Sequence, residues 1–209
     1  MSAAVFIAPR RRAALRNLAL RLAKDRQGMA AVEFAMAAPV LILLLCGIFD
    51  IGHMAYVNAV LHGAVEDAAR NGTLEMADTT TLDQKILAVV GRVAPGATVS
   101  TTRSSYYDFT DIARPEAWND KNNNGTCDNN EAYVDENKNG RWDADVGQSG
   151  NGGPNDVVLY TVKATYKPLF PIPGLTNPDQ TRTLTATTVR KNQPYGQQAD
   201  YGTAAGVCK

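Results

Sequence analysis

Oxygen-bearing side chains recur at fixed intervals within residues 118–153. Asp120, Asn122, Asn124, Thr126, Asp128 and Glu131 occupy positions 1, 3, 5, 7, 9 and 12 of a twelve-residue stretch, with Gly125 at position 6. A hard divalent cation asks for this spacing: alternating carboxylate and amide oxygens, a main-chain carbonyl at the seventh position, a bidentate glutamate at the twelfth and a glycine for the sharp turn. The chemistry implied is calcium coordination, with the Thr126 carbonyl and Glu131 in the last two roles and Asp128 acting directly or through water. Fifteen residues later Asp135, Asn137, Asn139, Gly140, Arg141 (through its carbonyl) and Asp143 repeat the pattern. There the twelfth position is Val146 and Asp145 stands one place early, so the second loop is expected to bind more weakly or differently. An exported setting suits sites of roughly 10⁻⁴–10⁻³ M affinity. The alternative is a hydrated Asn/Gly-rich loop without metal.

Only Ala132, Tyr133 and Val134 separate the two loops, which leaves no room for the helices of an EF-hand pair. The arrangement resembles the loop-only calcium repeats of dockerins and thrombospondin type 3 modules. Cys127 lies inside the first loop and Cys208 near the end of the chain. In an oxidising compartment these two can form a disulfide, remain free or pair with another chain. Cys46 lies in an apolar run and reads as a small hydrophobe. His53 and His62 are nine residues apart, neither i,i+3 nor i,i+4, and read as surface or interface polar groups. No nucleophile–base set, zinc motif or phosphate-binding glycine loop is present in the sequence, so the chain reads as not an enzyme.

The elements that position these loops follow from charge and hydropathy. Net charge is zero, but Arg10, Arg11, Arg12, Arg16, Arg21, Lys24 and Arg26 face only Asp25 in residues 1–27, while residues 108–156 hold eleven Asp/Glu against four Lys/Arg. Residues 34–49 carry no charge. Extended back to Met29, the run reaches 21 residues with Glu33 its only charge, long enough to span a bilayer as one helix. Basic residues before the run and none after it until Arg70 predict a cytoplasmic N-terminus and an exported remainder.

What precedes the run narrows its type. No small-x-small cleavage site follows the apolar core, and Leu45 before Cys46 is wrong for lipidation. A plain signal anchor leaves Glu33 unexplained. The stretch Gly28-Met29-Ala30-Ala31-Val32-Glu33-Phe34 resembles the processing site of type IV prepilins. That resemblance implies cleavage by a prepilin peptidase between Gly28 and Met29. It also implies that Glu33 pairs with the new N-terminal amine of a neighbouring subunit. A carboxylate within a spanning helix costs up to about 2.5–3.5 kcal/mol at mid-helix and less near the end, so a partner is expected. Glu33 at headgroup depth, snorkelling to water, is the alternative.

Over residues 27–70 the match extends to Gly-x-Ala-x-Val-Glu-Phe-Ala, Pro39, a Leu-rich run, Gly-Ile-Phe-Asp and a final Ala-Ala-Arg. This resembles the TadE-like pseudopilins of tight-adherence (Flp) pilus systems. The resemblance implies a structural subunit whose partners are major and minor pilins, the prepilin peptidase and an inner-membrane assembly platform. It places the chain in the bacterial inner membrane, single-pass, with the C-terminal part periplasmic or extracellular. Pro39 is either a bend that assists helix packing or a tolerated kink.

Beyond the membrane, Val57, Val60, Leu61, Ala64, Val65 and Ala68 form one helical stripe that Asn71-Gly72 terminates, with Glu66 and Arg70 as an i,i+4 pair. A second helix is expected over 82–93 behind a Thr81–Gln84 capping box. Strands are expected over 97–107, 157–166 and 181–190, with a proline-rich loop at 167–179. The fold class read from this is α+β and pilin-like. A leader (1–28) and a long helix (29–71) precede an exported domain (72–190) with its acidic insertion (118–153), and the domain is followed by a flexible tail (191–209) unless Cys208 is tied down. The functional alternative is a membrane-anchored calcium-dependent adhesin or sensor. No residue set supports a hydrolase.

Overall fold

A computed structural model describes residues 27–169 and 180–209. The basic leader before Gln27 and most of the proline-rich loop lie outside the described residues. The chain divides into two units, 1–49 and 50–209.

In the first unit the described residues are helical, part of α1 (Gln27–Gly72), which contains Pro39. Its large apolar side chains are uncovered: Phe34, Met36, Ile42, Leu44 and Ile48 are all exposed. The helix is long and apolar enough to cross a membrane. An apolar surface this continuous suits a non-aqueous surround, which is the character of a membrane anchor.

In the second unit the same helix changes character. Val57, Leu61, Val65 and Ala68 are buried, as the i, i+4, i+8, i+11 stripe requires, and Val60 and Ala64 are partly covered. The stripe packs with Leu82, Ile86 and Val90 of α2 (Thr79–Val93) and with one face of a sheet. The sheet is antiparallel, formed by β1 (Thr98–Tyr106), β3 (Gln148–Ser149), β4 (Val157–Tyr166) and β5 (Arg182–Lys191) in the order β3-β1-β4-β5. Alternation along β4 sends Val158, Tyr160, Val162, Ala164 and Tyr166 into the protein and leaves Thr161, Lys163 and Thr165 on the outer face. On that face, threonine hydroxyls pair across strands: Thr161 with Thr187 at 3.2 Å and Thr165 with Thr183 at 2.8 Å. Arg182 and Arg190 of β5 reach Asp50 and Glu66 of α1, so Glu66 gains a direct salt bridge to Arg190 beside the favourable charge of Arg70 one turn on.

The architecture is α+β, as read from the sequence, but two local expectations fail, the cap and the start of α2. The cap of α2 is Asp78, whose carboxylate accepts from the Thr80 and Thr81 N–H groups at 3.0 and 3.2 Å. Asp is the stronger N-cap, so the helix begins at Thr79, three residues before the expected start. Asp83 is thereby free to face the sheet, where it accepts from Arg103 (3.0 Å), Tyr160 (2.6 Å) and Thr101 (2.7 Å). In the tail, β6 (Ala204–Val207) pairs with β2 (Ala132–Asp135), and a disulfide joins Cys127 to Cys208 across a Cα separation of 5.7 Å. The condition attached to a flexible tail, that Cys208 not be tied down, is therefore not met.

Burial pushes the Asp83 carboxyl up, but the hydrogen bonds from Arg103, Tyr160 and Thr101 outweigh it and hold the group below its ordinary value of 3.8. A depressed carboxyl contributes stability that is fully present above the unfolded value and is lost as pH falls through the folded one. Asp83→Asn is expected to cost about 2 kcal/mol, below the range for fully buried pairs because the site is partly open to water. It should also flatten the acid limb of a stability–pH curve, measured by denaturant unfolding between pH 2 and 7.

Candidate functional site

The processing and assembly residues lie together at the start of α1. Gly28 and Met29 open the helix, and Glu33 and Phe34 follow within the next turn and a half. All four are exposed, Met29 at 60% and Phe34 at 66%. Among the described residues Glu33 has no ion-pair partner in its own chain, so a carboxylate is displayed on an otherwise apolar rod. Pro39 is also exposed and lies within the continuous helix. The two histidines hydrogen-bond to main-chain carbonyls: His53 Nε2 to Val93 at 2.8 Å and His62 Nδ1 to Asn58 at 2.9 Å. The His53 ring also meets Tyr166 edge-on.

The two acidic loops share one conformation. Position 4 is left-handed in both (Asn123, φ 57°; Lys138, φ 64°), as is the glycine at position 6 (Gly125, φ 77°; Gly140, φ 81°). In the first loop Asp120 accepts from the N–H of Asn124 (3.2 Å) and Gly125 (2.9 Å). In the second, Asp135 accepts from Asn139 (3.0 Å) and Gly140 (2.8 Å). Asn124 and Asn139 each accept from the residue two places on, at 2.8 and 2.9 Å. Asp128 accepts from the amides of Asn122 and Asn124, and Asp143 from those of Asn137 and Asn139.

Glu131 closes the first loop through main-chain N–H groups. It is buried and accepts from the N–H groups of Lys121 (2.7 Å) and Asp128 (3.2 Å). The second loop is closed by a residue that the forward reading missed. Glu116 is fully buried and accepts from the N–H groups of Glu136 (2.8 Å), Asn137 (3.1 Å) and Asp143 (3.1 Å). Each glutamate therefore grips positions 2, 3 and 9 of a loop, Asn122 completing the first set at 3.4 Å.

The sequence signal is a fifteen-residue repeat that begins at the glutamates: Glu116-Ala-Trp-Asn-Asp120 and Glu131-Ala-Tyr-Val-Asp135. The segments after the two glutamates run antiparallel, with Asn119 N–H to Ala132 O and Val134 N–H to Ala117 O both at 2.8 Å. The second glutamate closes the first loop and the first glutamate closes the second. Asp145 is consequently not part of the second loop: it accepts from the Tyr106 hydroxyl (3.0 Å) and the Gly147 N–H (3.1 Å). Val146 is buried against Tyr106 and Val157.

The surroundings hold this pair in place. Arg114 donates to both oxygens of Glu136 (3.1 and 2.7 Å) and to Asp111 (3.0 Å), and holds the Glu136 carboxyl below its ordinary value. Burial pushes the Glu116 carboxyl up, against the opposing pull of the three N–H groups it accepts from. Arg141, well exposed, lies 3.5 Å from Asp143. Trp118 and Trp142 meet edge-to-face at 5.2 Å beside the disulfide. Among the described residues, no three His, Cys, Asp or Glu side chains converge on a point where a metal would sit. The loop oxygens are turned onto N–H donors of the loops themselves.

Among the described residues, the chain combines one helix long and apolar enough to cross a membrane with a small α+β domain. Residues 28–70 match the TadE-like protein family. Residues 71–209 lie outside that match. No curated protein and no solved structure matches the chain.

Proposed function

We propose that the chain is a structural pseudopilin of a tight-adherence (Flp) pilus or a related secretion apparatus. The observation that carries this reading is the TadE-like match together with the stretch 29–49 inside it, apolar, largely exposed and bearing one carboxylate, Glu33, with no ion-pair partner among the described residues of its own chain. On this reading a prepilin peptidase removes the basic leader after Gly28 from the cytoplasmic side. The ammonium so exposed on Met29 of one subunit then neutralises Glu33 of a neighbour. A pair of opposite charges in low dielectric offsets the cost of burying either and sets the axial register between helices. The partners are major and minor pilins and an inner-membrane platform, and the head faces the periplasm or the exterior. Glu33→Ala is expected to leave membrane insertion and processing intact and to abolish co-purification with pilus components. Wild-type levels of co-purification by the variant would remove the pairing role.

A structural role for calcium is proposed for the insertion, favoured by the reciprocal closure of the two loops. Rotating the Asn122, Asn124, Asn137 and Asn139 amides would turn their oxygens inward. Together with Asp120, Asp128, Glu131 and the Thr126 carbonyl in one loop, and Asp135, Asp143, Glu116 and the Arg141 carbonyl in the other, they make all-oxygen donor sets of the kind calcium takes. Bound calcium would neutralise the acidic surface and stiffen the head. The adhesin alternative draws only on this insertion and leaves the TadE-like helix unexplained.

A further inference from the structure

A cavity of about 270 Å³ opens on the head where five separate segments meet. Tyr106 and Tyr107 at the end of β1, Asn137 of the second loop, Gln148 of β3, Asp156 before β4 and Tyr201 of the C-terminal segment line it. Of the residues named, only Asn137 has a part in the roles argued above, as a donor of the second loop.

The cavity is preformed, because the C-terminal segment is fastened across it. The Gln198 amide donates to the Tyr107 carbonyl (2.8 Å) and to Asp156 (2.9 Å), Lys138 Nζ donates to the Asp200 carbonyl (3.0 Å), and the Gly202 N–H donates to the Glu136 carbonyl (2.8 Å). The approach at Gly202 is so close that a Cβ there would fall 2.1 Å from the Asp135 carbonyl oxygen, so only glycine lets the segment lie on the loop. On the rim the Tyr107 and Tyr201 rings stack at 4.4 Å, and Tyr107 keeps over a third of its surface open.

The lining selects a class of ligand. Amides (Asn137, Gln148), a hydroxyl (Ser105), carboxylates (Asp156, Asp200) and an ammonium (Lys138) alternate around one small space. Carboxylates outnumber the ammonium, which disfavours an anion, and Lys138 disfavours a cation. Groups that both donate and accept suit such a mixed wall, and hydroxyls are those groups. Aromatic rings beside them offer an apolar face to C–H groups. The volume lies below the roughly 300–1,000 Å³ of drug-sized sites, room for one small ring. The geometry points to a neutral saccharide unit as the ligand of this cavity, an inference independent of the assembly reading.

Saturation-transfer NMR on the full chain in a detergent without a sugar headgroup tests it, with methyl glycosides of glucose, galactose, mannose and N-acetylglucosamine as probes. At least one glycoside is expected to bind in the millimolar range, about tenfold more weakly to Tyr107→Ala and unchanged to Thr185→Ala on the outer sheet face. Tyr107 is open enough that its truncation leaves the fold intact, which circular dichroism checks. Silence from all four glycosides at about 20 mM, or equal binding by Tyr107→Ala, overturns the assignment. Binding of lysine methyl ester in preference to the glycosides overturns it in favour of a basic side chain.

Discussion

Replacing both Cys127 and Cys208 by serine is expected to destabilise the head by about 4.5 kcal/mol, the chain-entropy value for a loop of this length. The two residues are 81 apart in sequence, and the loop they close contains β2 to β6 and most of the insertion. The bond matters locally as well. β2 and β6 form a two-stranded sheet with four residues on each side, and such a ribbon is marginal alone. Without the disulfide, β6 is held by that ribbon, by the Gly202 and Gln198 contacts and by the Tyr201 hydroxyl on Asp111. The melting temperature of the double variant should fall by roughly 9–18 °C. Hydrogen exchange should quicken first in residues 132–135 and 204–207. Unchanged exchange there would show that the ribbon stands without its covalent tie.

Calcium should act on both loops, and each glutamate should govern one of them. If the affinities are near 0.3 mM, about 10 mM calcium stabilises the head by roughly 2 kcal/mol per loop. Terbium reports the loops separately from the fold, because Trp142 lies within the second loop and Trp118 just before the first. Two sites are expected in the wild type. Glu131→Gln should weaken the first site and Glu116→Gln the second, each by tenfold or more, the scale of a lost bidentate carboxylate, about 1.4 kcal/mol or above. Asp145→Asn should change neither, since Asp145 serves Tyr106. The Glu116 result is the discriminating one, because a linear reading of the second loop gives that residue no part. Identical terbium titrations for Glu116→Gln and the wild type would limit Glu116 to holding the apo loop, and a melting temperature that ignores calcium would remove the metal from the account.

Local periodicity made much of this protein legible. The residues of β4 alternate so regularly that its ends coincide with the observed Val157–Tyr166, and the Val57–Ala68 stripe is buried where its spacing put it. What escaped depends on partners distant in sequence. Asp83 looks like part of a helix start until Arg103 and Tyr160 are seen to claim it, which leaves capping to Asp78. Glu116 escaped because the calcium-loop pattern is read forward from its first aspartate, whereas the second loop is closed by a glutamate that precedes the first. Order in the tail could not be read from Ala204–Val207, which are small and weakly patterned. β2 and Cys127 impose it. The two-residue β3 carries no pattern at all and exists through its pairing to Ser104 and Ser105.

The pilus reading stands or falls on the chain end found in the cell. Intact-mass and N-terminal analysis of the protein extracted from membranes should find Met29 as the first residue, its amine one helical turn from Glu33. A polypeptide that still carries the arginine-rich segment ahead of Gly28 would contradict the reading, for Glu33 would then have no amine to meet and the helix would be a tether alone.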